Sequence, residues 1–413
     1  MKGGAGCIIK IICDKILMKK KIFFGVIVTA IISSMLTLGG LCLILGLNAK
    51  SFLNLGRFIG AMNFISSHYV NEVDKNILID GAIGGMVRSL GDPHSSYLEP
   101  KIYSQLKADT SGTFGGIGVY MGFKEGLVFI LSVIPGSPGE KVGLMAGDHI
   151  LAVNSQPVSE IDPSEIALKI RGEVGSDVEL LIHREGEEDK TYTITREVIK
   201  VQTVSSKMLD NLLGYIRISN FSENTGAEFK DAMKKLESEN MRGFILDLRQ
   251  NPGGVITSCI EIANEIVPKG PIVSVIQRDG EKEIFSSDLE QVKYPIIVLL
   301  DRNSASASEL LSGALQDTKA ALIVGETSYG KGSVQTVIPM FQDDGLKLTI
   351  AKYYTPNGRS IDGTGIKPDV EVKLEKPLMI SRDPDTDSSD DLQLAKAKEL
   401  LTEQINAGKI LFE

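Results

Sequence analysis

The apolar positions change their period several times along the chain, and each change predicts a different element. Residues 22–47 are apolar or small and carry no charge, long enough to predict a membrane-spanning helix. From Ser51 to Leu106 apolar residues return at helical spacing, as Phe52, Leu55, Phe58 and Ile59, then Ile77, Leu78, Ala82, Ile83, Met86 and Leu90. That predicts a helical region over 51–110. Between 111 and 198 short alternating runs separated by Gly and Pro turns predict a small β-rich domain. Residues 199–376 alternate buried-strand runs (Gly214–Ile218, Phe244–Leu248, Pro295–Leu300, Ala321–Val324, Val334–Ile338) with helical patterns such as Gly226–Leu236 and Val255–Ile266. This predicts a layered α/β core. Residues 377–391 read as a polar, acidic, solvated linker. The stripe Leu394, Ala397, Leu400, Leu401 and Ile405 predicts a C-terminal helix over Leu392–Ile410, in a final segment 392–413.

Composition narrows the function classes. The 413 residues are 43% hydrophobic and 23% charged, the balance of a globular chain long enough for two or three domains. A net charge of -9 with no basic stripe beyond the N-terminus argues against a nucleic-acid partner. Cys7, Cys13 and Cys42 lie in or before the first apolar segment. Cys259 alone occupies the rest, in an apolar helical run, and reads as a buried structural thiol. No Cys/His cluster has metal-ligand spacing, and the Asp385, Asp387, Asp390 and Asp391 run lacks the glycine and spacing of an EF-hand. No metal or cofactor is expected.

Lys19, Lys20 and Lys21 precede the apolar segment, so residues 1–21 are expected in the cytoplasm and the remainder outside. An uncleaved signal anchor is favoured over a cleaved signal peptide, because Leu47-Asn48-Ala49 is a poor small-x-small site. A lipoprotein is disfavoured because Leu41 precedes Cys42. Met18 followed by three lysines is an ordinary start for such a segment, which would make residues 1–17 an upstream extension.

The candidate chemistry lies between Asn303 and Gln335. Ser306 stands where a strand hands over to a helix, and Lys331 stands on a turn between Gly330 and Gly332. Ser306-Ala-Ser-Glu309 is also a capping box, and Lys331 alone is an ordinary turn lysine. A serine nucleophile needs a base, and the histidines (His68, His94, His149, His183) all precede this region. A buried lysine can replace histidine, since desolvation favours the neutral amine. The Ala307 N–H, at a helix N-terminus, would meet a developing oxyanion.

SASASE, GKGSVQ and the upstream DLRQNPGG together resemble the C-terminal processing peptidases, the tail-specific proteases of serine peptidase family S41. The resemblance runs from Tyr69 to Val372. It implies Ser306 as nucleophile, Lys331 as general base and Gln335 as the residue positioning the lysine. It also implies an oxyanion hole from Ala307 and one of the pair Gly253 and Gly254. Asp247 and Arg249 read as a structural ion pair or turn support and not as catalysts, and His94 as a structural residue of its Gly-Asp-Pro turn.

Gly115-Gly-Ile-Gly-Val119, then Leu127–Leu131, Ser137–Leu144 and Gly147–Asn154, resemble a PDZ domain. Gly115, Gly116, Ile117 and Gly118 would form the loop that binds a peptide carboxylate, with the peptide adding as a strand beside Ile117 and Val119. Arg171 is a candidate sensor of bound peptide or a solvated helix-end arginine. The resemblance further implies a crotonase- or ClpP-like ββα catalytic core and a homodimer through the helical N-terminal region.

The sequence therefore predicts an α/β multidomain serine endopeptidase, single-pass in the cell membrane with its catalytic part outside. It would act on protein or peptide substrates with free C-termini through an acyl-enzyme. A membrane-tethered PDZ scaffold without activity is the alternative. A Ser-Lys acyl-transferase of the penicillin-binding type is disfavoured, because Glu309 stands where that class has its lysine.

Overall fold

The computed structural model describes residues 23–37, 39–40, 49–124, 126–374 and 391–412. The chain divides into two compact units, residues 1–86 and 87–413. Cys7, Cys13, Cys42, Lys19–Lys21 and most of the acidic linker lie outside the described residues.

In the first unit residues 23–37 form helix α1, followed by α2 (Ala49–His68) and the start of α3 (Lys75–Arg88). Residues 22, 38 and 41–48 of the expected membrane span are not described. Among the described residues no helix is long and apolar enough to cross a membrane. The span is therefore an expectation that the structure does not carry.

The second unit opens with β1 (Ser96–Leu98) and α4 (Pro100–Ser111). The predicted helical region is thus interrupted: β1 is drawn into a sheet by a partner far along the chain, which local periodicity does not register. A β-rich domain follows, comprising β2 (Thr113–Gly116), β3 (Val119–Lys124), β4 (Leu127–Val133), the short α5 (Pro138–Lys141), β5 (His149–Val153), β6 (Gln156–Pro157), α6 (Pro163–Ile170), β7 (Asp177–His183), β8 (Lys190–Thr195) and β9 (Glu197–Lys200). Its main sheet runs β3-β4-β5-β7-β8, antiparallel, so β3 is an edge strand. Ile117, Val128, Ile130, Ile150, Ile166, Ile170, Leu180 and Ile182 fill its core. Strand β2 pairs instead with β9.

The remaining elements are β10 (Val204–Leu209), β11 (Leu213–Ile218), α7 (Thr225–Ser238), β12 (Gly243–Asp247), α8 (Ile256–Ile266), β13 (Gly270–Gln277), β14 (Lys282–Ser287), β15 (Ile296–Leu300), α9 (Ala307–Asp317), β16 (Ala321–Gly325), β17 (Ser333–Pro339), β18 (Gly345–Tyr354), β19 (Val370–Glu371) and α10 (Leu392–Asn406). Strands β10-β11-β12-β15-β16-β19 form a sheet that is parallel from β11 onward. Both its faces are buried, which is why these strands read as unbroken apolar runs. Successive residues serve opposite faces. Ile296, Val298 and Leu300 pack with α7, α8 and α9, while Ile297 and Leu299 pack with Leu394, Ala397 and Leu401 of α10. A second, antiparallel sheet joins β1, β13, β14 and β17 around the long strand β18.

Asp391 departs from the linker reading. It caps α10, accepting from Leu394 N at 3.0 Å, and its carboxylate pairs with Arg249 at 2.8 Å. A buried cation, not its acidic neighbours, decides its place. The expected Asp247–Arg249 pair is present at 2.6 Å and fully buried.

Candidate active site

The C-terminal end of β15 delivers Ser306. Ala305 N and Ser308 Oγ both donate to the Asn251 carbonyl at 3.0 Å, and Ser304 Oγ donates to Leu248 O at 2.9 Å. These bonds stitch the serine loop to the neighbouring loop after β12. Ser306 has φ 54 and ψ -114, a strained conformation for a residue with a Cβ. Such strain persists only where surrounding contacts impose it. Next to it Ala307 begins α9, and among the described residues nothing accepts from its N–H. The Ala307 carbonyl accepts from the thiol of Cys259, which is fully buried as expected.

The Asn251-Pro-Gly-Gly loop lies directly against the serine. A Cβ on Gly253 (φ +94) would stand 2.7 Å from Ser306 Cβ and 2.9 Å from Ala307 N. One on Gly254 (φ +142) would stand 1.9 Å from the Phe221 carbonyl. Only glycine fits either place. The two glycines differ in their amides. Gly253 N donates to Asn251 Oδ1 at 2.9 Å, whereas among the described residues no bond takes up the Gly254 N–H.

Lys331 arrives from the other side, on the turn between β16 and β17. Gly332 packs so closely that a Cβ would lie 2.8 Å from Asp362. Tyr329 N donates to Ser304 O at 3.0 Å, tying this turn to the serine loop. Glu309 completes the tie from inside. Its fully buried carboxylate accepts from Ser306 N (2.8 Å) and Lys331 N (2.9 Å) on Oε2, and from Ser328 Oγ and Gly330 N (both 2.6 Å) on Oε1. The expected capping bond to Ser306 is thus half of a bridge between the two turns. On the opposite side the buried Tyr353 hydroxyl donates toward Ser306 O (3.2 Å) and Lys331 O. Burial, with the Glu309 charge adding to it, holds that phenol well above its usual pKa, so it stays a donor.

Burial and then the charge of Lys347 lower the Lys331 ammonium below its ordinary pKa, against the opposing pull of Glu309 and Asp92. Neither Ser306 Oγ nor Gln335 is hydrogen bonded to Lys331 Nζ among the described residues. Gln335 Nε2 donates instead to Ser333 Oγ (2.9 Å) and Thr349 Oγ1 (3.2 Å). The structure therefore brings the backbones of Ser306 and Lys331 together, while among the described residues their side chains are not hydrogen bonded to each other.

In the β-rich domain Gly115 and Gly116 lie in β2, paired with Val198 and Glu197, so they are strand residues and not part of an open loop. Only Ile117 and Gly118 form the turn. Their carbonyls are taken by Gly139 N and Ile134 N, both at 2.8 Å. Val119 opens β3, whose outer edge is unpaired among the described residues. Arg171 stacks on the Phe114 ring at 4.1 Å, beside Asp109 of α4, and is not brought together with Ser306 or Lys331. Glu309 as a bridge and Tyr353 were not identified from sequence. The glutamate was visible only as a cap, and a tyrosine in a strand carries no local signal.

Residues 212–372 match the profile of peptidase family S41, 48–102 that of the activating protease CtpB N-terminal domain, and 129–184 that of a PDZ domain. The chain is 38% identical over 360 residues to the carboxy-terminal processing protease CtpA of Bacillus subtilis (strain 168), covering 86% of this chain and 77% of that protein. It is 39% identical over 319 residues to CtpB of the same organism, covering 76% of this chain and 66% of that one. Among solved structures it is similar to a photosystem II D1 C-terminal processing protease, 28% identical with a TM-score of 0.47, covering 86% of this chain and 98% of the other.

Proposed function

Since the chain belongs to serine peptidase family S41 and carries a PDZ domain, we propose that it cuts tailed protein substrates with Ser306 as nucleophile and Lys331 as general base. The observation that carries this reading is the shared hold of Glu309 and Tyr353 on both turns, beside a lysine whose charged form is disfavoured.

The neutral Lys331 amine takes the Ser306 proton as the oxygen attacks the scissile carbonyl. The oxyanion is met by the Ala307 N–H and by the Gly254 N–H, since the Gly253 amide is already committed to Asn251. Lys331 then returns the proton to the leaving amine, and water hydrolyses the acyl-enzyme on Ser306. Gln335 holds the amine through its carbonyl oxygen.

The substrate tail adds to the β3 edge with its carboxylate at the Ile117–Gly118 turn. Because the Ser306 and Lys331 side chains are not hydrogen bonded to each other, binding there shifts the population toward an engaged pair. The uncharged stretch 22–47 after Lys19–Lys21 supports a single-pass anchor with the catalytic part outside the cytoplasm. The exposed apolar side chains of α2, including Leu53, Phe58 and Phe64, support pairing with a second copy. The test is hydrolysis of a peptide ending in a free carboxylate by Ser306→Ala and Lys331→Ala. Both variants lose activity with unchanged melting curves; full activity in either overturns the assignment.

A further inference from the structure

We infer that Asp92, in the turn Gly91–Ser95, is a positioning residue that acts through Ser95 and Thr349 to hold the Gln335 amide in place. The inference rests on the Ser306–Lys331–Gln335 reading and extends it to a segment far from the dyad in sequence.

The placement follows from the antiparallel sheet. Strand β18 has β17 on one side, with Gln335 opposite Thr349. On its other side lies β1, with Ser96 opposite Lys347. The Gly91–Ser95 turn leads into β1, so Thr349 sits between that turn and Gln335. The turn is locked: His94 N donates to Asp92 Oδ1 at 3.0 Å and Ser95 Oγ to Asp92 Oδ2 at 2.5 Å. Thr349 N donates to Ser95 Oγ at 3.0 Å, which holds β18 to the turn.

The polarity of the chain of bonds carries the argument. An ionised carboxylate can only accept, and a serine hydroxyl has one hydrogen. Ser95 gives that hydrogen to Asp92, so its oxygen is left to accept from Thr349 N, and Thr349 Oγ1 in turn accepts from Gln335 Nε2. Ser333 Oγ accepts from the same nitrogen. With its NH2 group held by two hydroxyls, Gln335 must turn its carbonyl oxygen away from them, and that oxygen is the group that can accept from the Lys331 amine. Asp92 stays ionised: burial would raise its carboxyl, but the bonds from Ser95 Oγ and His94 N help lower it to about 2. The charged groups acting on Lys331 are Lys347 of β18, Glu309 of α9 and Asp92 itself.

Steady-state hydrolysis of a tailed peptide tests this with Thr349→Val, Thr349→Ser, Asp92→Asn, Gln335→Ala and the double variant Gln335→Ala/Thr349→Val, each checked by thermal melting. Thr349→Val lowers kcat about ten- to a hundredfold with KM unchanged, as a misplaced catalytic group does. Thr349→Ser keeps the hydroxyl and restores activity. The double variant is no slower than Gln335→Ala alone, because both changes disable the same device. Asp92→Asn lowers kcat and also moves the acid limb of kcat/KM to lower pH, since a charge that favours the ammonium is gone. Wild-type kcat in Thr349→Val or Asp92→Asn overturns the inference, and so does additivity in the double variant or an unimpaired Gln335→Ala. Activity in Ser306→Ala or Lys331→Ala instead sinks the underlying assignment, so the two failures are told apart.

Discussion

Glu309 reaches Lys331 through the lysine's backbone and not its ammonium: Oε2 accepts Lys331 N at 2.9 Å while also accepting Ser306 N at 2.8 Å. A carboxylate that only accepts suits this place, because every group aimed at it is a donor. Glu309→Gln puts an NH2 group among those donors. We expect a loss of about 2–4 kcal/mol in stability and a fall in kcat of about a hundredfold as the two turns separate. Urea denaturation with parallel kinetics checks this, and an unchanged midpoint would rule out the bridge.

Gly253→Ala sets a methyl group against Ser306 Cβ and the Ala307 N–H, at a φ of +94. Activity falls by about 10²–10³, the range for losing an oxyanion donor. Substrate affinity, read in a Ser306→Ala background, is unchanged because the peptide tail binds elsewhere. A Gly253→Ala enzyme with full kcat would place the oxyanion hole elsewhere.

Sequence reading found these elements unevenly, for physical reasons. The strands before Ser306 and Lys331 are buried on both faces, so Ile296–Leu300 and Ala321–Gly325 announce themselves as apolar runs. The helix after Ser306 carries its own cap. Glu309 was legible as that cap because the contact spans three residues, yet its second contact spans twenty-two and leaves no periodic trace. Strand β1 and the placement of Thr349 beside Ser95 depend on sheet pairing over some 250 residues. Gln335, assigned to Lys331 by resemblance, also donates its amide N–H groups to two hydroxyls, a choice among similar partners that only the packed sheet makes.

Activity should rise with pH through the pKa of Lys331, because the base works only when neutral. Burial and Lys347 place that pKa below the ordinary 10.5. Lys347→Gln removes the repulsion, so the ammonium is easier to keep and the acid limb of kcat/KM moves to higher pH. This is the opposite sign to Asp92→Asn. A pH–rate profile with a slowly hydrolysed peptide measures it; a limb that stays put or moves down contradicts the assigned base.

Arg249 joins the loop that supports the serine to the start of α10. Its guanidinium is buried and binds Asp247 through Nε and Nη2, at 3.0 Å and 2.6 Å. It also binds Asp391 through Nη1 and Nη2, at 2.8 Å and 2.9 Å. A second buried cation crowds the same carboxylate, Arg217 Nη1 lying 3.6 Å from Asp247 Oδ1. Arg217 Nε and Nη1 have no hydrogen-bond partner among the described residues. Two arginines against Asp247 alone would leave one buried positive charge uncompensated, and Asp391 supplies the balance. Asp391→Asn keeps a side-chain acceptor for Leu394 N, so it tests charge apart from helix capping. The expected cost is about 3–5 kcal/mol, as for breaking a buried ion pair from one side. Asp391→Ala costs about 1 kcal/mol more through the lost cap. Because Arg249 stands two residues before Asn251, whose carbonyl anchors Ala305 and Ser308, kcat should fall along with stability. Denaturation midpoints for the two variants decide the matter: if Asp391→Asn melts like the wild type, α10 is not an electrostatic counterpart of the active-site loop.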